Sequence, residues 1–349
     1  MSNRISVIIL NYNGMKYINN CLISLHNQTH KDYEILVVDN NSSDYSAEFI
    51  AQNFPTVKLI SAKENLGFGG GNNLGAQHAT GQYLVFLNQD TTATPDCIAA
   101  LVFPFENDPQ IGMTTSKILI MATPDRINTC GNDVHFTGIG YLRGWQAASN
   151  TYNQMEEVCS VSGASFAISK TLFDDLGGFD EAFFPAYVED TDLSWRVRLR
   201  GNKCIYAPDS IIYHDYKSGF GPDKFFRIER NRYQMLIKTY HWRTLILLMP
   251  ALLLSEFVSW GYACLYGKTY IYKKLNAYSW LVSHRADVLT RRQQVQRKRV
   301  VADRTLLRHC AYRLAFDQAV GGLLGQLAGG IFNFFFFCLY QLYLLLIWW

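Results

Sequence analysis

The tripeptide Asn88-Gln89-Asp90 has residue types and a spacing that can hold a metal ion. It follows the apolar run 83–87, which predicts a buried β-strand. Side chains at positions i and i+2 of a strand point to the same side, so Asn88 and Asp90 would present two oxygen-bearing groups together. Hard divalent cations prefer such oxygens, and a bound cation can hold a diphosphate. Asn and Asp are also ordinary turn residues, so the tripeptide alone leaves a polar turn as the alternative.

Two further polar segments follow predicted strands. Asp39 ends the run 34–39, where a carboxylate can accept a hydrogen bond from a nucleobase N–H or a ribose hydroxyl. An Asx turn or a helix cap is the alternative. The glycine-rich segment 65–73 runs into a predicted helix. Glycines let a backbone approach a ligand, and a helix N-terminus favours an anion. The segment is not a P-loop, because no Gly-Lys-Ser/Thr follows it. A flexible loop is the alternative.

Three carboxylates, Glu189, Asp190 and Asp192, lie within four residues. Asp192 is a plausible N-cap of a helix over 192–200, which would leave Glu189 and Asp190 in the preceding loop. A carboxylate in that loop could take a proton from a sugar hydroxyl. The alternative is that all three only favour the helix dipole.

Two other residue types are candidates for binding. His214 follows the strand-like run 211–213 and could be a metal ligand, although a lone histidine is more often structural. Arg227, Arg230 and Arg232 precede an apolar region, and the planar guanidinium suits a diphosphate. A solvated helix face is the alternative for these arginines.

The elements that would position these residues alternate between strand and helix. The order predicted for the first 115 residues is strand 5–10, helix 15–27, strand 34–39, helix 46–53, strand 57–61, helix 72–79 and strand 83–88. This βαβα order predicts an α/β fold with a mostly parallel sheet and helices on both faces. Ligands bind such sheets at the carboxyl ends of the strands, where the polar clusters fall. Residues 116–160 have no assignable pattern. Beyond them we expect strand 161–169, helix 170–176 and strands 203–207 and 210–213.

The length of 349 residues suggests two domains, which we place at 1–240 and 241–349. Charge is uneven between them. Residues 268–313 hold twelve Lys and Arg against two Asp, a net +10, so the rest of the chain carries −7. A basic appendage on a mildly acidic body indicates a polyanionic partner, either anionic lipid or nucleic acid. Apolar runs at 244–267 and 331–349 flank the basic segment, which favours lipid over nucleic acid.

Membrane contact can take several forms. If 244–267 crossed a bilayer, Glu256 would lie at mid-span and the basic segment would break the positive-inside tendency. We therefore expect helices in the interface, with the basic segment against anionic headgroups. The charge-free run 331–349 could lie in the interface, insert part-way or span once. A buried helix at a subunit contact is the alternative, and a homo-oligomer stays open.

The eight cysteines are scattered without a C-x-x-C pair, which argues against a zinc site or a disulfide scaffold and favours a reducing compartment. No secretory signal pattern is visible at the N-terminus. We expect a location at the cytoplasmic face of the membrane.

Taken together, the motifs resemble the inverting glycosyltransferase family two, which has the GT-A fold, a Rossmann-like nucleotide-sugar-binding domain. The resemblance covers residues 4 to about 240. Within this family the chain looks most like bacterial rhamnosyltransferases and galactofuranosyltransferases that extend lipid-linked glycans. The motifs that carry the resemblance are 7–13, 38–42, 65–69, 88–90, Gly163-Ala164, 189–196 and His214.

The resemblance implies a role for each site residue. Asp90 and His214 would bind Mg²⁺ or Mn²⁺, with Asn88 in the place of the first Asp of the family's metal motif. Asp190 would be the general base, oriented by Glu189 and Asp192. The nucleotide-sugar would be bound by Asn11, Asn13, Asp39, Asn41, Asn65, Gly67, Asn73, Asn88 and Arg232. The family's Arg-Arg pair after the Gly-Ala strand is absent, and Lys170 occupies that region.

The resemblance also implies the reaction. A sugar would move from a nucleoside-diphosphate donor, preferably dTDP-rhamnose, to a polyprenyl-diphosphate-linked glycan in cell-surface polysaccharide synthesis. UDP-galactofuranose or another hexosyl donor is the first alternative. A catalytically inactive nucleotide-sugar or glycan-binding scaffold at the membrane is the alternative of another class.

Overall fold

The computed structural model describes residues 4–217, 219–319 and 322–349. The chain divides into two compact units. The first comprises the residues up to Asn132 with 142–197 and 202–217, and the second comprises 133–141, 198–201 and the chain from 219 onward. The boundary expected from the sequence at 240 falls one helix later than this division.

The first unit contains most of the strands. Strands of the structure are β1 Ile5–Asn11, β2 Tyr33–Asp39, β3 Lys58–Ser61, β4 Tyr83–Asn88, β5 Thr91–Ala93, β6 Ile111–Ile120, β7 Thr123–Thr129, β8 Asn132–Val134, β9 Gly140–Leu142, β10 Glu156–Glu157, β11 Ser165–Ser169 and β12 Lys203–His214. Its helices are α1 Ile18–His26, α2 Ser46–Asn53, α3 Gly67–His78, α4 Cys97–Val102, α5 Pro104–Asn107, α6 Lys170–Leu176 and α7 Glu189–Leu199, with a 3-10 turn at Glu181–Phe183.

One sheet organises this unit, in the order β10-β12-β6-β11-β4-β1-β2-β3. Strands β3, β2, β1 and β4 are all parallel, as the βαβα pattern predicts. Asn11 pairs with Asp39 in the register of β1 and β2, and Leu10 pairs with Asn88 in that of β1 and β4. The predicted meeting of three polar clusters at one sheet edge is therefore confirmed.

Alternation along β1 builds a core on each face of the sheet. Val7 and Ile9 belong to one buried cluster and Ile8 to the other, because successive strand residues point to opposite faces. All eight cysteines are free, and six of them are buried.

The C-terminal half of strand β6 lies in the region 116–160, for which the sequence predicted no element. Strand β6 is buried throughout, although its centre reads Thr114-Thr115-Ser116-Lys117. The hydroxyls are satisfied inside: Thr114 donates to Leu101 O and Thr115 to Ser165 O. A buried polar strand of this kind escapes a reading based on hydrophobicity. Antiparallel β11 then lies between β6 and β4.

The glycine-rich segment is helix rather than loop, since α3 begins at Gly67. A Cβ on Gly71 would overlap Leu10, and one on Gly75 would overlap Ile8. The glycines therefore serve close packing of α3 on β1, which their low helix propensity hides in the sequence.

The second unit is mainly helical. Its helices are α8 Pro222–Thr239, α9 Trp242–Leu247, α10 Met249–Tyr266, α11 Lys268–Ser283, α12 Arg285–Lys298, α13 Asp303–His309, α14 Phe316–Ala319 and α15 Gly322–Leu346. Among the described residues, one helical stretch, Gly325–Leu346, is long and apolar enough to cross a membrane.

Candidate active site

The carboxyl ends of β1 and β2 are joined by buried polar contacts. Asn11 Nδ2 donates to Asp39 Oδ1 at 3.0 Å and to Ser46 Oγ at 2.8 Å. Asp39 Oδ2 accepts from Ser42 N at 3.3 Å. Asp39 thus forms the Asx-type contact that was the alternative reading. Whether it also binds a nucleobase stays a prediction.

The loops beyond these strands adopt left-handed backbone conformations at Asn13 (φ 49°) and Asn41 (φ 64°). Asparagine tolerates this region better than other non-glycine residues. Asn13 Oδ1 accepts from Ser43 N at 2.9 Å, which fastens the two loops together. The structure therefore brings Asn11, Asn13, Asp39 and Asn41 to one edge.

Asn40, which the sequence reading missed, links this edge to the start of α3. Its Nδ2 donates to Asn65 Oδ1 at 3.0 Å and its Oδ1 accepts from Leu66 N at 2.8 Å. Asn65 Oδ1 also accepts from Gly67 N at 2.8 Å. Gly67 has φ +70°, and a Cβ there would press on Phe184 and Pro185. Asn65 and Gly67 thus shape the turn into α3.

Gln89 is a second residue that the sequence reading missed. Its Oε1 accepts from Tyr12 N at 2.8 Å and its Nε2 donates to Tyr12 O at 3.0 Å. This amide pair holds the β1 loop against the Asn88-Gln89-Asp90 turn. A Cβ on Gly14 would overlap both Asn11 and Gln89. Glycine at this position therefore leaves room for the hydrogen bonds between Gln89 and Tyr12.

Asp90 and His214 meet although they are far apart in the chain. Strand β5 pairs antiparallel with the end of β12, with Thr91 opposite His214. The pairing sets His214 Nε2 3.3 Å from Asp90 Oδ1. Asp215 N donates to Asp90 O at 3.0 Å and locks the same corner.

The donor set at this corner suits a hard divalent cation. Among the described residues no three His, Cys, Asp or Glu side chains cluster as a metal site, so the protein would offer Asp90 and His214 with Asn88 nearby. Mg²⁺ and similar ions commonly take one or two protein ligands and complete their shell with phosphates and water. His214 Nδ1 lies 3.1 Å from Asn128 Oδ1, which leaves Nε2 for Asp90 or a cation.

Asp190 lies in the first turn of α7 and is held by backbone donors. Its Oδ2 accepts from Gly163 N at 2.9 Å and its Oδ1 from Thr191 N at 2.7 Å. Burial raises the pKa of Asp190, and these hydrogen bonds offset part of the increase. A raised pKa makes this carboxylate a better proton acceptor than an ordinary aspartate.

A short hydrogen-bonded path joins Asp190 to Asn88 at the end of β4. Asn88 N donates to Ala164 O at 3.0 Å, and the neighbouring Gly163 N donates to Asp190. The path exists because β11 pairs with β4, placing Ser165 opposite Leu87. Asp190 and Asp90 therefore belong to one end of the sheet.

The structure places Glu189 and Asp192 differently from the sequence prediction. Glu189 and Asp190 lie in helix α7, which begins three residues earlier than predicted, and not in a preceding loop. Burial and then the charge of Asp190 raise the pKa of Glu189 well above its ordinary value. Asp192 forms a buried ion pair with Arg196 at 2.8 Å, so it anchors α7 instead of capping it.

The backbone entering α7 is strained. Tyr187 has φ 86° and Val188 has φ 74°. Positive φ at a β-branched residue is a genuine outlier, and such strain concentrates at functional sites. The strain stands directly before Glu189 and Asp190.

Two residues predicted to contact the nucleotide-sugar, Asn73 and Arg232, have other partners, and so does Lys170. The side-chain amide of Asn73 forms hydrogen bonds with the backbone of Phe179 and the carboxylate of Glu181. Lys170 pairs with Asp174 at 3.0 Å. Arg232 belongs to the second unit, where it is buried and paired with Glu229 at 3.1 Å and Glu256 at 2.5 Å. A guanidinium committed to two carboxylates is a poor diphosphate ligand, and we do not carry Arg232 into the site.

A third set that the sequence reading missed surrounds Asp215. Tyr17 Oη donates to Asp215 Oδ2 at 2.7 Å, and Lys16 Nζ lies 3.4 Å from the same oxygen. Lys217 Nζ lies 5.9 Å from the Tyr17 ring. The tyrosine hydrogen bond and the Lys16 contact lower the pKa of Asp215. Only the proximity of Asp215 to His214 in sequence could have indicated this group.

Comparisons with known proteins agree on the fold. Residues 6–176 match the family model of glycosyl transferase family 2. An uncharacterized glycosyltransferase of Nostoc sp. is 35% identical over 113 residues, covering 32% of this chain and 35% of that protein. The poly-beta-1,6-N-acetyl-D-glucosamine synthase of Staphylococcus aureus is 24% identical over 212 residues, covering 60% and 49%. The chain thus spans about a third to a half of the length of these relatives.

Solved structures give the same picture. GalNAc-T7 with UDP, GalNAc and Mn²⁺ aligns with a TM-score of 0.57 at 20% identity, over 68% of this chain and 48% of that one. S. aureus TarS 1-349 in complex with UDP aligns with a TM-score of 0.53 at 16% identity, over 97% and 91%. At these identities the likeness establishes the fold.

Proposed function

Since residues 6–176 match the family model of glycosyl transferase family 2, we propose that the chain is an inverting glycosyltransferase that uses a nucleoside-diphosphate sugar. The observation that carries the proposal is the path from Asp190 through Gly163 and Ala164 to Asn88, beside the Asp90–His214 pair. A proton acceptor and a diphosphate-binding corner on one sheet edge are the two parts that this reaction needs.

Asp190 accepts the proton of an acceptor hydroxyl while that oxygen attacks the anomeric carbon of the donor. The bond between the anomeric carbon and the diphosphate oxygen breaks on the opposite face, which inverts the configuration. Asp90 and His214 would hold Mg²⁺ or Mn²⁺, which when bound supplies positive charge for the departing diphosphate. The backbone N–H groups of Gly163 and Thr191 fix the direction in which Asp190 points.

The edge formed by Asn11, Asn13, Asp39 and Asn41 would receive the nucleoside, with Asn65 and Gly67 at its border. Our preferred donor is dTDP-rhamnose, and UDP-galactofuranose is the first alternative. The preferred acceptor is a polyprenyl-diphosphate-linked glycan at the cytoplasmic face of the membrane, because the second unit exposes apolar helices. A catalytically inactive sugar-binding scaffold is the competing class.

The test is a donor screen followed by one substitution. Release of nucleoside diphosphate is measured with each donor, Mn²⁺ and a short-chain lipid-linked acceptor. Asp190→Asn should lower kcat by about 10²–10⁴-fold while donor affinity stays within about twofold. Asp125→Asn removes an exposed carboxylate of the same unit and should leave kcat unchanged. No turnover of the wild-type chain with any donor, together with intact donor binding, would establish the scaffold instead.

A further inference from the structure

Helix α10 is inverted with respect to a helix of a water-soluble domain. Its inward stripe is made of small residues, whereas its outward stripe is large and apolar. The buried positions are Ala251, Ser255, Ser259 and Ala263. The exposed positions are Met249, Leu253, Phe257 and Leu265, with Leu253 62% and Phe257 69% exposed. In water the apolar stripe turns toward the core, while small residues line helix contacts in lipid.

Helix α15 shows the same inversion. A narrow stripe is buried against the rest of the second unit, consisting of Phe336, Tyr340 and Tyr343, and Ile347 just beyond the helix is buried as well. The remaining surface exposes Leu327, Ile331, Phe334, Phe335, Phe337, Leu342, Leu345 and Leu346. No charged residue occurs in Gly325–Leu346, and most of this stretch is not buried. The Phe257 and Phe332 rings lie 6.0 Å apart, so α10 and α15 contribute to one surface, which we name the apolar face.

Helix α15 is tied to the second unit at its middle and toward its C-terminus. Asn333 exchanges two hydrogen bonds with the backbone of Leu314, at 2.7 and 3.1 Å. Tyr340 Oη donates to Leu307 O at 3.0 Å. Just beyond the helix, Trp349 Nε1 donates to Thr244 Oγ1 at 2.8 Å. The two contacts made from within the helix lie roughly 10 Å apart along its axis, at about 1.5 Å per residue.

This attachment is incompatible with a simple crossing of the bilayer. If α15 stood upright in the membrane, it would carry α13 with it, including Asp303, Arg304 and Arg308. Ionisable groups in the hydrocarbon region are costly. A helix that lies parallel to the surface keeps α13 on the water side and still buries the apolar face.

We propose that the apolar face seats the second unit on a lipid bilayer as a monotopic attachment, with α15 lying in the plane of the interface. A bilayer fits because most outward residues of both helices are large and apolar, and an exposed apolar surface of this extent marks an interaction site. The biological meaning of this contact rests on the lipid-linked acceptor of the proposed function, but the contact itself is measurable without turnover.

We expect apolar burial to contribute more to this attachment than electrostatic attraction does. Three cations of the basic segment, Lys274, Arg292 and Arg299, are buried or paired within the second unit. They are therefore withdrawn from the headgroup contact that the sequence suggested. Attachment should accordingly persist on zwitterionic lipid and in salt, since salt screens charge but not apolar burial.

The first experiment is flotation of the full chain with phosphatidylcholine vesicles at 0.1 M and 1 M NaCl. The Debye length is about 10 Å at the lower salt concentration and about 3 Å at the higher one. We expect flotation at both salt concentrations. Leu253→Ser with Phe257→Ser should lower the vesicle partition coefficient about tenfold or more. Ile23→Ser with Phe103→Ser, which are exposed apolar residues of the first unit, should leave it unchanged. Flotation that requires anionic lipid and low salt would overturn the proposal.

The second experiment measures depth. Cys264 in α10 and Cys338 in α15 are the exposed cysteines among the described residues, so each can carry a fluorophore after the other is changed to Ser. Quenching by lipids with shallow or deep spin labels should place both probes near the headgroups. A Cys338 probe at the bilayer centre would show a spanning helix, and failure to float with formation of a dimer would show a protein interface.

The two proposals fail separately. Loss of flotation with retained transfer to a water-soluble acceptor would remove the membrane contact alone. Flotation without transfer to any acceptor would remove the enzymatic function alone.

Discussion

His214 faces two partners through its two ring nitrogens, and the partner of one nitrogen decides what the other can do. If Asn128 Oδ1 accepts the Nδ1 proton across 3.1 Å, the lone pair of Nε2 points toward Asp90. Such an outer partner fixes both the tautomer and the ring orientation of a metal-binding histidine. Asn128 lies in β7, within the region that the sequence left unassigned.

We therefore predict that Asn128→Leu weakens Mn²⁺ binding in the presence of UDP by about 10–100-fold. Asn128→Asp keeps an acceptor for Nδ1 and should retain most of the affinity. Titration followed by Mn²⁺ electron paramagnetic resonance measures both variants without turnover. Equal affinity for both variants and the wild type would mean that Asn128 has only a packing role.

Glu189 supplies a second residue-scale prediction, which concerns stability. Burial and the charge of Asp190 raise the pKa of Glu189 in the folded chain, and among the described residues Glu189 Oε2 has no hydrogen-bond partner. The folded state therefore holds this proton more tightly than the unfolded state. The resulting stabilisation is complete below the unfolded pKa and is lost as pH rises through the folded pKa.

Glu189→Gln imitates the protonated side chain at every pH. We expect the Tm of this variant to fall less than that of the wild type as pH rises above the ordinary pKa of a glutamate. Thermal unfolding between pH 5 and 9 measures the difference. Parallel Tm curves for the two proteins would show that Glu189 does not titrate in this range.

At the scale of elements, the sequence pattern correctly predicted the helix and strand bounds that depend on residues close in the chain. Helix α2 and strand β4 have the predicted bounds, and Gly177 closes α6 with φ 79°. The predictions failed where distant partners decide. Gly71 and Gly75 are helical because α3 packs closely on β1, and Thr114 and Thr115 form a strand because Leu101 and Ser165 satisfy their hydroxyls.

The site follows the same rule. The polar ends of β1, β2 and β4 were predictable, because strands of a parallel sheet end at one edge. The contact of His214 with Asp90 depends on the pairing of β5 with β12. The contact of Asp190 with Gly163 depends on the insertion of antiparallel β11 between β4 and β6. No local pattern encodes either. A count of charges in the basic segment likewise could not reveal that Lys274, Arg292 and Arg299 are buried or paired inside the second unit.

Part of the positive charge of the basic segment stabilises the C-terminal end of helix α8. Arg292 donates to Ile237 O and, at 2.5 Å, to Tyr240 O. Gln296 donates to Lys238 O and Thr239 O, both at 2.8 Å. The last carbonyls of a helix lack partners within it, so α12 supplies them, and the cation also favours the helix C-terminus.

Arg292→Met should therefore destabilise the chain by about 1.5–3 kcal/mol, the usual range for a hydrogen bond to a charged group. Arg297→Met removes the same charge from an exposed position of α12 and should change stability by less than about 0.5 kcal/mol. Urea unfolding compares the two variants. Equal losses would mean that the charge of α12, and not its bonds to α8, stabilises the fold.

At the scale of the whole molecule, the chain presents two different surfaces. The first unit offers a polar strand edge, and the second offers the apolar face. Each surface should respond to its own ligand, because a ligand slows exchange at the backbone it covers or orders. Hydrogen exchange followed by mass spectrometry reports on both surfaces in one experiment.

We predict that UDP with Mn²⁺ protects the segments around 11–15, 39–46, 88–91 and 189–191, whereas phosphatidylcholine vesicles protect 246–266 and 327–347. Asp90→Asn should reduce the first effect and leave the second unchanged. Leu253→Ser with Phe257→Ser should do the reverse. Protection of α10 and α15 by the nucleotide alone would contradict this assignment, since it would tie the apolar face to the donor and not to lipid.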